Sequence, residues 1–392
     1  MKHDDSPGRE VIDLLARLVA LPTESRSPNV DLIDLCAERC RDAGADVSVL
    51  PGGPGQANLL ARFGPSCAGG LLLSGHTDVV PAGAGWATDP YRVTEVDDRL
   101  YGRGTADMKG FVAAAMVAAE RAAGRLDKPL YLALSYDEEI GCVGVRGLLQ
   151  HLDGRADVAP DLVVVGEPTS MRVCVAHTGK ASYAARFHGR AGHSSEARTH
   201  PSAVVAAAEL AVAIDAVQRD QPAGETSRDR AGYAHVSTNV GTIGGGVAIN
   251  VMAADADLAF EVRHSAEFEV PALLAPVWAE VDRLNSRLAA VGGGVKVEQL
   301  AQYPAMDTAA TAPAVRRLHR LAETGPIGTI AFGAEGGLYA ERFAAPVVIC
   351  GPGDITDAHC PDEFVTLSQL ATCRRVIDGA VAEFCDNEKR AS

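Results

Sequence analysis

Short apolar runs alternate with amphipathic stretches along the first 170 residues. Val11, Leu14, Leu15, Leu18 and Val19 keep helical spacing and stop before Pro22. A second helix is predicted after Asn29, a residue suited to cap it, and ends near Gly44. Strands follow at 46–50 and 58–63. The stretch LLLSGHTDVVP (71–81) opens with three leucines and no polar face, which predicts a strand buried on both sides. A helix over 109–123, the strand LYLALSY (130–136), a helix near 143–151 and the strand DLVVV (161–165) continue the alternation. Such alternation indicates an α/β fold with a mostly parallel mixed sheet flanked by helices.

The pattern changes near residue 177. ASYAARFHG (181–189) and DADLAFEVR (255–263) alternate as strands with one buried face, separated by a helix at 201–217 and a strand near 234–243. A helix over 270–290 and the strand VKVEQLAQY (295–303) complete a strand-helix-strand-strand-helix-strand order, the ferredoxin-like unit. An α+β domain inserted at 177–304 is therefore expected inside an α/β domain of 1–176 and 305–392. The α/β pattern resumes with a helix near 312–323, the strand PVVIC (346–350) and a final helix at 367–385.

Polar residues collect directly after the buried strands. His76 and Asp78 follow LLLSG, Asp137, Glu138 and Glu139 follow LYLALSY, and Glu167 follows LVVVG. His359 lies in DITDAHCPDE, just past PVVICGPG. Ligands of open α/β sheets bind at the carboxyl ends of strands. Carboxylates crowded there repel one another unless a cation neutralises them, so the four strand ends point to a metal site. A single His or Glu after a strand is ordinarily a solvated loop residue, and the coincidence of four ends is what argues otherwise; His3, His151 and His319 have no such context and are expected to be surface or packing residues. Asp107 adds a fifth element, where a glycine-rich loop enters an alanine-rich helix.

Composition excludes other classes. A net charge of −15 disfavours nucleic acid and anionic membranes as partners. No apolar run reaches the roughly 18 residues of a membrane-spanning helix, and MKHDDSPGRE holds no apolar stretch, so no secretory signal is expected. Nine cysteines without a Cys-x-x-Cys pair suggest buried thiols, Cys36 and Cys40 among them, in a reducing cytoplasm. The Gly102–Gly104 spacing lacks the third glycine of a dinucleotide fingerprint.

Taken in order, SGHTDVVP, YGRGTADMKGF, YDEEIGCVG, VVGEPT, GRAGHSS, GGGVAIN and GPGDITDAHCPDE resemble the acetylornithine deacetylase and succinyl-diaminopimelate desuccinylase family of dinuclear zinc amidohydrolases. Aminoacylase, carnosinase-like dipeptidases and glutamate carboxypeptidases are related to it. The resemblance implies two Zn²⁺ per chain, replaceable by Co²⁺, bridged by Asp107. His76 and Glu167 would complete one ion's ligands, and Glu139 and His359 the other's. Four positive charges would then meet Asp107, Glu139, Glu167 and a bridging hydroxide, giving a neutral centre that can be buried. By the same resemblance Glu138 would be the general base and acid; adjacent side chains in an extended segment point apart, so it would not easily share a metal with Glu139. Asp78 would orient His76 by a hydrogen bond.

In the inserted domain the resemblance implies that His193 stabilises the oxyanion, often across a homodimer formed by that domain, and that Asn250 and Arg263 bind substrate. Arg263 suits a carboxylate. Glu335 in FGAEGGLY (332–339) suits a cationic group on the substrate. The expected reaction is hydrolysis of an N-acyl amino acid, first N-acetyl-L-ornithine to L-ornithine and acetate, a step of arginine biosynthesis. Another N-acyl amino acid deacylase, a succinyl-diaminopimelate desuccinylase, a dipeptidase or a carboxypeptidase of the family stays open, and a metal-free binding relative is the distant alternative. The charge-rich segment 218–230 gives no cue to the substrate.

Overall fold

The central sheet has six strands, in the spatial order Asp46–Pro51, Ala57–Phe63, Leu130–Ser135, Leu71–His76, Leu162–Pro168, Val347–Gly351. The last four run parallel, and the first two form an antiparallel margin. The computed structural model describes residues 7–220 and 236–386. The segment 221–230 of the charge-rich stretch, and positions 234 and 235 of the strand expected near 234–243, lie outside them.

From Leu71–His76 the chain crosses through helix Gly110–Ala122 to Leu130–Ser135 on one side. It then returns through helix Val143–His151 to Leu162–Pro168 on the other. The strand order therefore reverses at the carboxyl end of Leu71–His76, the place where open α/β sheets form a crevice. Helix Gly110–Ala122 is apolar on every side, and Phe111 to Ala119 are all buried. A helix of that kind has to be covered. Helices Arg9–Val19 and Leu367–Cys385 pack against it, and its small alanines leave room for both.

The chain divides into two compact units, Met1–Ala176 with Met306–Ile330 and Ala334–Ser392, and His177–Ala305 with Ala331–Gly333. The second unit is a ferredoxin-like antiparallel sheet in the order Val236–Gly245, Asp255–His264, Gly179–His188, Gly294–Tyr303. Helices Ala203–Arg219 and Ala275–Ala289 bury one of its faces. There Tyr183 stacks on Phe260 at 5.1 Å and meets the edge of Trp278 at 5.2 Å.

Two local expectations change. Asn29 precedes helix Val30–Asp42 but makes no side-chain cap. Its amide instead donates to Ala57 O and Thr77 Oγ1, and accepts from Ala57 N, tying the helix start to the sheet. The helix expected over 270–290 breaks into Val270–Leu273 and Ala275–Ala289. Pro276 has no N–H to continue the first piece and favours the opening turn of the second. Helix Gly336–Arg342 begins inside FGAEGGLY.

His177 is fully buried, its Nδ1 3.0 Å from Thr178 O, and burial pushes the imidazole down to about 4. Between that value and 6.5 the unfolded chain binds the extra proton, so stability is full above pH 6.5 and is lost as pH falls toward 4. The loss is on the order of 3 kcal/mol. Urea titrations at pH 7 and pH 4.5 are expected to show wild type losing more stability than His177→Gln; equal losses would contradict this.

Candidate metal centre

His76 ends the strand at the sheet's reversal point and is 1% exposed. Its Nδ1 donates to the carbonyl of Asp78 at 2.9 Å, which leaves Nε2 facing Asp107 Oδ1 at 3.0 Å. The Asp78 carboxylate lies 3.5 Å from the ring. That distance is long for a hydrogen bond. Its closer partners are Ser25 Oγ at 2.8 Å and the backbone N–H groups of Glu138 at 3.0 Å and Glu139 at 3.3 Å. The backbone carbonyl of Asp78 thus orients the imidazole, while its carboxylate holds the loop bearing the two glutamates.

Asp107 stands between two groups. With His76 and Glu167 it forms one set of three ligand atoms, and with Glu139 and His359 another, each within 4.8 Å of one another. His359 Nε2 lies 3.2 Å from Asp107 Oδ2 and 3.0 Å from Glu139 Oε1. These separations approach the roughly 3.3 Å edge of a tetrahedron with bonds of about 2.0 Å, the size zinc prefers.

The electrostatics ask for positive charge. Burial, reinforced by the charges of Asp107 and Glu138, pushes Glu167 well above the usual carboxylate range. Burial and the charge of Asp107 raise Glu139, against a hydrogen bond from His359. Burial alone would raise Asp107, but hydrogen bonds from His359 and His76 hold it well below. Those same bonds to Asp107 and Glu139 lift His359 to about 10. Burial disfavours charge on His76, yet the hydrogen bond with Asp107 and the nearby Asp78 carboxylate outweigh it and raise the ring well above its ordinary value. Both imidazoles therefore keep a proton facing carboxylates where a cation would fit better. Glu167 Oε1 is buried with no hydrogen-bond partner among the described residues, a cost of roughly 1–3 kcal/mol that a bound ion would remove. The donor set of imidazole and carboxylate suits two divalent ions.

Glu138, beside Glu139, is half-buried and accepts from Cys142 Sγ at 3.3 Å. Burial first, partly offset by His76 and reinforced by Glu139 and Glu335, pushes its carboxyl well above the usual range. Glu335 is 1% exposed, its oxygens held by Ser135 Oγ at 2.5 Å and Ser74 Oγ at 3.2 Å, and burial lifts it to about 7. It is committed to the serines of two sheet strands rather than open to a substrate cation.

The other expected site residues belong to the second unit. His193 is exposed, and its Nδ1 accepts from Ser195 N at 3.2 Å, which leaves Nε2 to carry the proton of the neutral ring. Asn250 is exposed and lies close by, its carbonyl accepting from Ser194 N at 3.1 Å. Arg263 Nε donates to Glu261 Oε1 at 2.8 Å, so a carboxylate already neighbours its guanidinium. Sequence reasoning passed over Ser25 and Cys142, which touch Asp78 and Glu138. Ser25 had no signal, being a serine in a polar turn, and Cys142 lay inside a motif read only for its acids.

Glu167 owes its place to a glycine. A Cβ on Gly166 would stand 2.0 Å from the Phe111 ring, which comes from the helix that follows Asp107. Gly166→Ala is expected to cost about 1–3 kcal/mol by overpacking, read by urea denaturation. A loss under about 0.5 kcal/mol, the scale of a surface change, would contradict that contact.

The family model described as "Peptidase family M20/M25/M40" matches residues 72–383. Acetylornithine deacetylase of Pasteurella multocida (strain Pm70) is 32% identical over 388 residues, 95% of this chain and 98% of that protein. Among solved structures, the M20 family metallo-carboxypeptidase Sso-CP2 from Sulfolobus solfataricus superposes with a TM-score of 0.78 at 15% identity, covering 95% of this chain and 99% of that one. Human carnosine dipeptidase 1 gives 0.72 at 18% identity, covering 95% and 96%.

Proposed function

This chain belongs to peptidase family M20/M25/M40 and is a hydrolase, and from that premise we propose that it removes the acyl group from an N-acyl amino acid, with N-acetyl-L-ornithine the first choice. The observation that carries the hydrolytic reading is the pair of ligand groups sharing Asp107, with Glu138 on the residue next to one of them. Support for the acyl amino acid comes from the deacetylase relative, which matches over nearly the full length of both chains.

His76, Asp107 and Glu167 would hold one zinc ion and Asp107, Glu139 and His359 the other. Bound there, such ions supply Lewis acidity and bring the pKa of water down to about 7. Glu138 takes the proton of the water that attacks the acyl carbon, then delivers it to the nitrogen as the C–N bond breaks, releasing acetate and the free amine. Its raised proton affinity suits a group that must keep a proton between those events. Cys142 and the Asp78 carboxylate hold Glu138 at its side chain and its backbone. The Nε2–H of His193 is a donor suited to the oxyanion, and Arg263 and Asn250 offer donors for the substrate's carboxylate.

We assign the enzyme to a homodimer formed by the second unit and to the reducing cytoplasm, where thiols such as Cys36 and Cys40 stay unpaired. Among the described residues no helix is long and apolar enough to cross a membrane.

In Glu138→Gln, turnover is expected to fall by a factor of about 100 or more while metal content, read by elemental analysis, stays at the wild-type level. Loss of metal would mean that Glu138 is a ligand. The substrate is tested by assaying zinc-loaded protein against N-acetyl-L-ornithine, other N-acetyl amino acids, N-succinyl-diaminopimelate and dipeptides. The highest kcat/KM is expected for N-acetyl-L-ornithine; a dipeptide in that place would reject the deacylase assignment.

A further inference from the structure

Asp107 does not sit in a helix that could hold it. Its backbone, at φ −122° and ψ 94°, departs from helical values just before helix Gly110–Ala122. The turn is held instead by one buried carboxylate from the far end of the chain. Glu363 is 1% exposed. Its Oε1 accepts the N–H groups of Ala106 at 2.9 Å and Asp107 at 3.0 Å. Its Oε2 accepts the N–H of Gly104 at 2.9 Å and Arg103 Nη1 at 2.6 Å. The backbone repeats the tie, with Gly102 N donating to Glu363 O at 2.9 Å.

Arg103 is itself buried and neutralises this carboxylate. Its guanidinium lies 5.2 Å from the Trp86 ring, and Nη2 reaches Ala82 O at 3.4 Å. Charge-assisted bonds to backbone N–H groups are among the stronger ones a carboxylate makes, and here three of them, from Gly104, Ala106 and Asp107, converge from one turn. The same loop carries His359, four residues earlier, in a left-handed conformation at φ 58°. One short segment thus provides a ligand atom at one end and the clamp on the shared aspartate at the other.

We propose that Glu363, charge-balanced by Arg103, is the positioning residue for Asp107, fixing the carboxylate that both ligand groups share. The proposal rests on the reading of that cluster as a two-ion centre. Glu363→Gln keeps the size of the side chain but turns an amide NH₂ toward backbone donors and leaves Arg103 without its anion.

The test is a cobalt(II) titration of metal-free protein followed by visible absorption, which reports the geometry around the ion independently of turnover. Wild type is expected to take up two equivalents. Glu363→Gln is expected to bind them about tenfold or more weakly, with a changed spectrum. Leu318→Ala, a destabilising change in the apolar core of the same unit, is expected to leave the spectrum as it is. Wild-type affinity and spectrum in folded Glu363→Gln overturn the positioning role. Uptake of fewer than two equivalents by wild type overturns the two-ion reading, and the proposal with it. If Glu363→Gln does not fold, Arg103→Lys is read in the same way: weaker binding supports the role, and unchanged binding overturns it.

Discussion

Carboxylates brought out of water toward one point repel each other, and only protons or cations relieve that repulsion. Asp107, Glu139 and Glu167 are in this position, with Glu138 and Glu335 near enough to add their charges. Without positive charge the carboxyl ends of the central strands would be a liability. With it, the liability would become a centre of small net charge, at which divalent ions could make bound water acidic near neutrality. The surrounding structure serves to keep these groups from escaping one another.

The fold meets that demand by geometry more than by energy. The reversal of strand order leaves a crevice where His76 ends its strand, and the neighbouring parallel strands deliver Glu138 and Glu139 on one side and Glu167 on the other. The close approach of Gly166 to Phe111 sets the spacing between the strand of Glu167 and the helix after Asp107. Asp78 joins two strand ends, with its carbonyl on His76 and its carboxylate on the loop of Glu138. The last of these restraints includes backbone hydrogen bonds to a buried carboxylate, which are charge-assisted and so among the stronger kind.

Much of this was legible in the sequence, for a definite reason. Buried parallel strands are written as unbroken apolar runs, so the polar residues that follow them stand out. LLLSG, LYLALSY and LVVVG each located a strand end, and the side chains after them come together in space. The ferredoxin-like order was legible from the change of period near residue 177. What stayed hidden depended on partners distant in sequence. Asn29 looked like a helix cap because its use of Ala57 and Thr77 has no local trace. Glu335 looked like a substrate contact because the serines that bury it, Ser74 and Ser135, lie some 200 or more positions away. The helix break at Pro276 could have been read, since proline there is a local signal.

That a single aspartate belongs to both triads has a thermodynamic corollary. An ion in either triad would redistribute the charge and orientation of Asp107, so the free energy of filling one would depend on the state of the other. Such linkage is reciprocal by necessity: whatever the first occupant does to the affinity of the second, the second does in equal measure to the first. The two positions cannot be tuned independently, and any substitution at residue 107 acts on both at once.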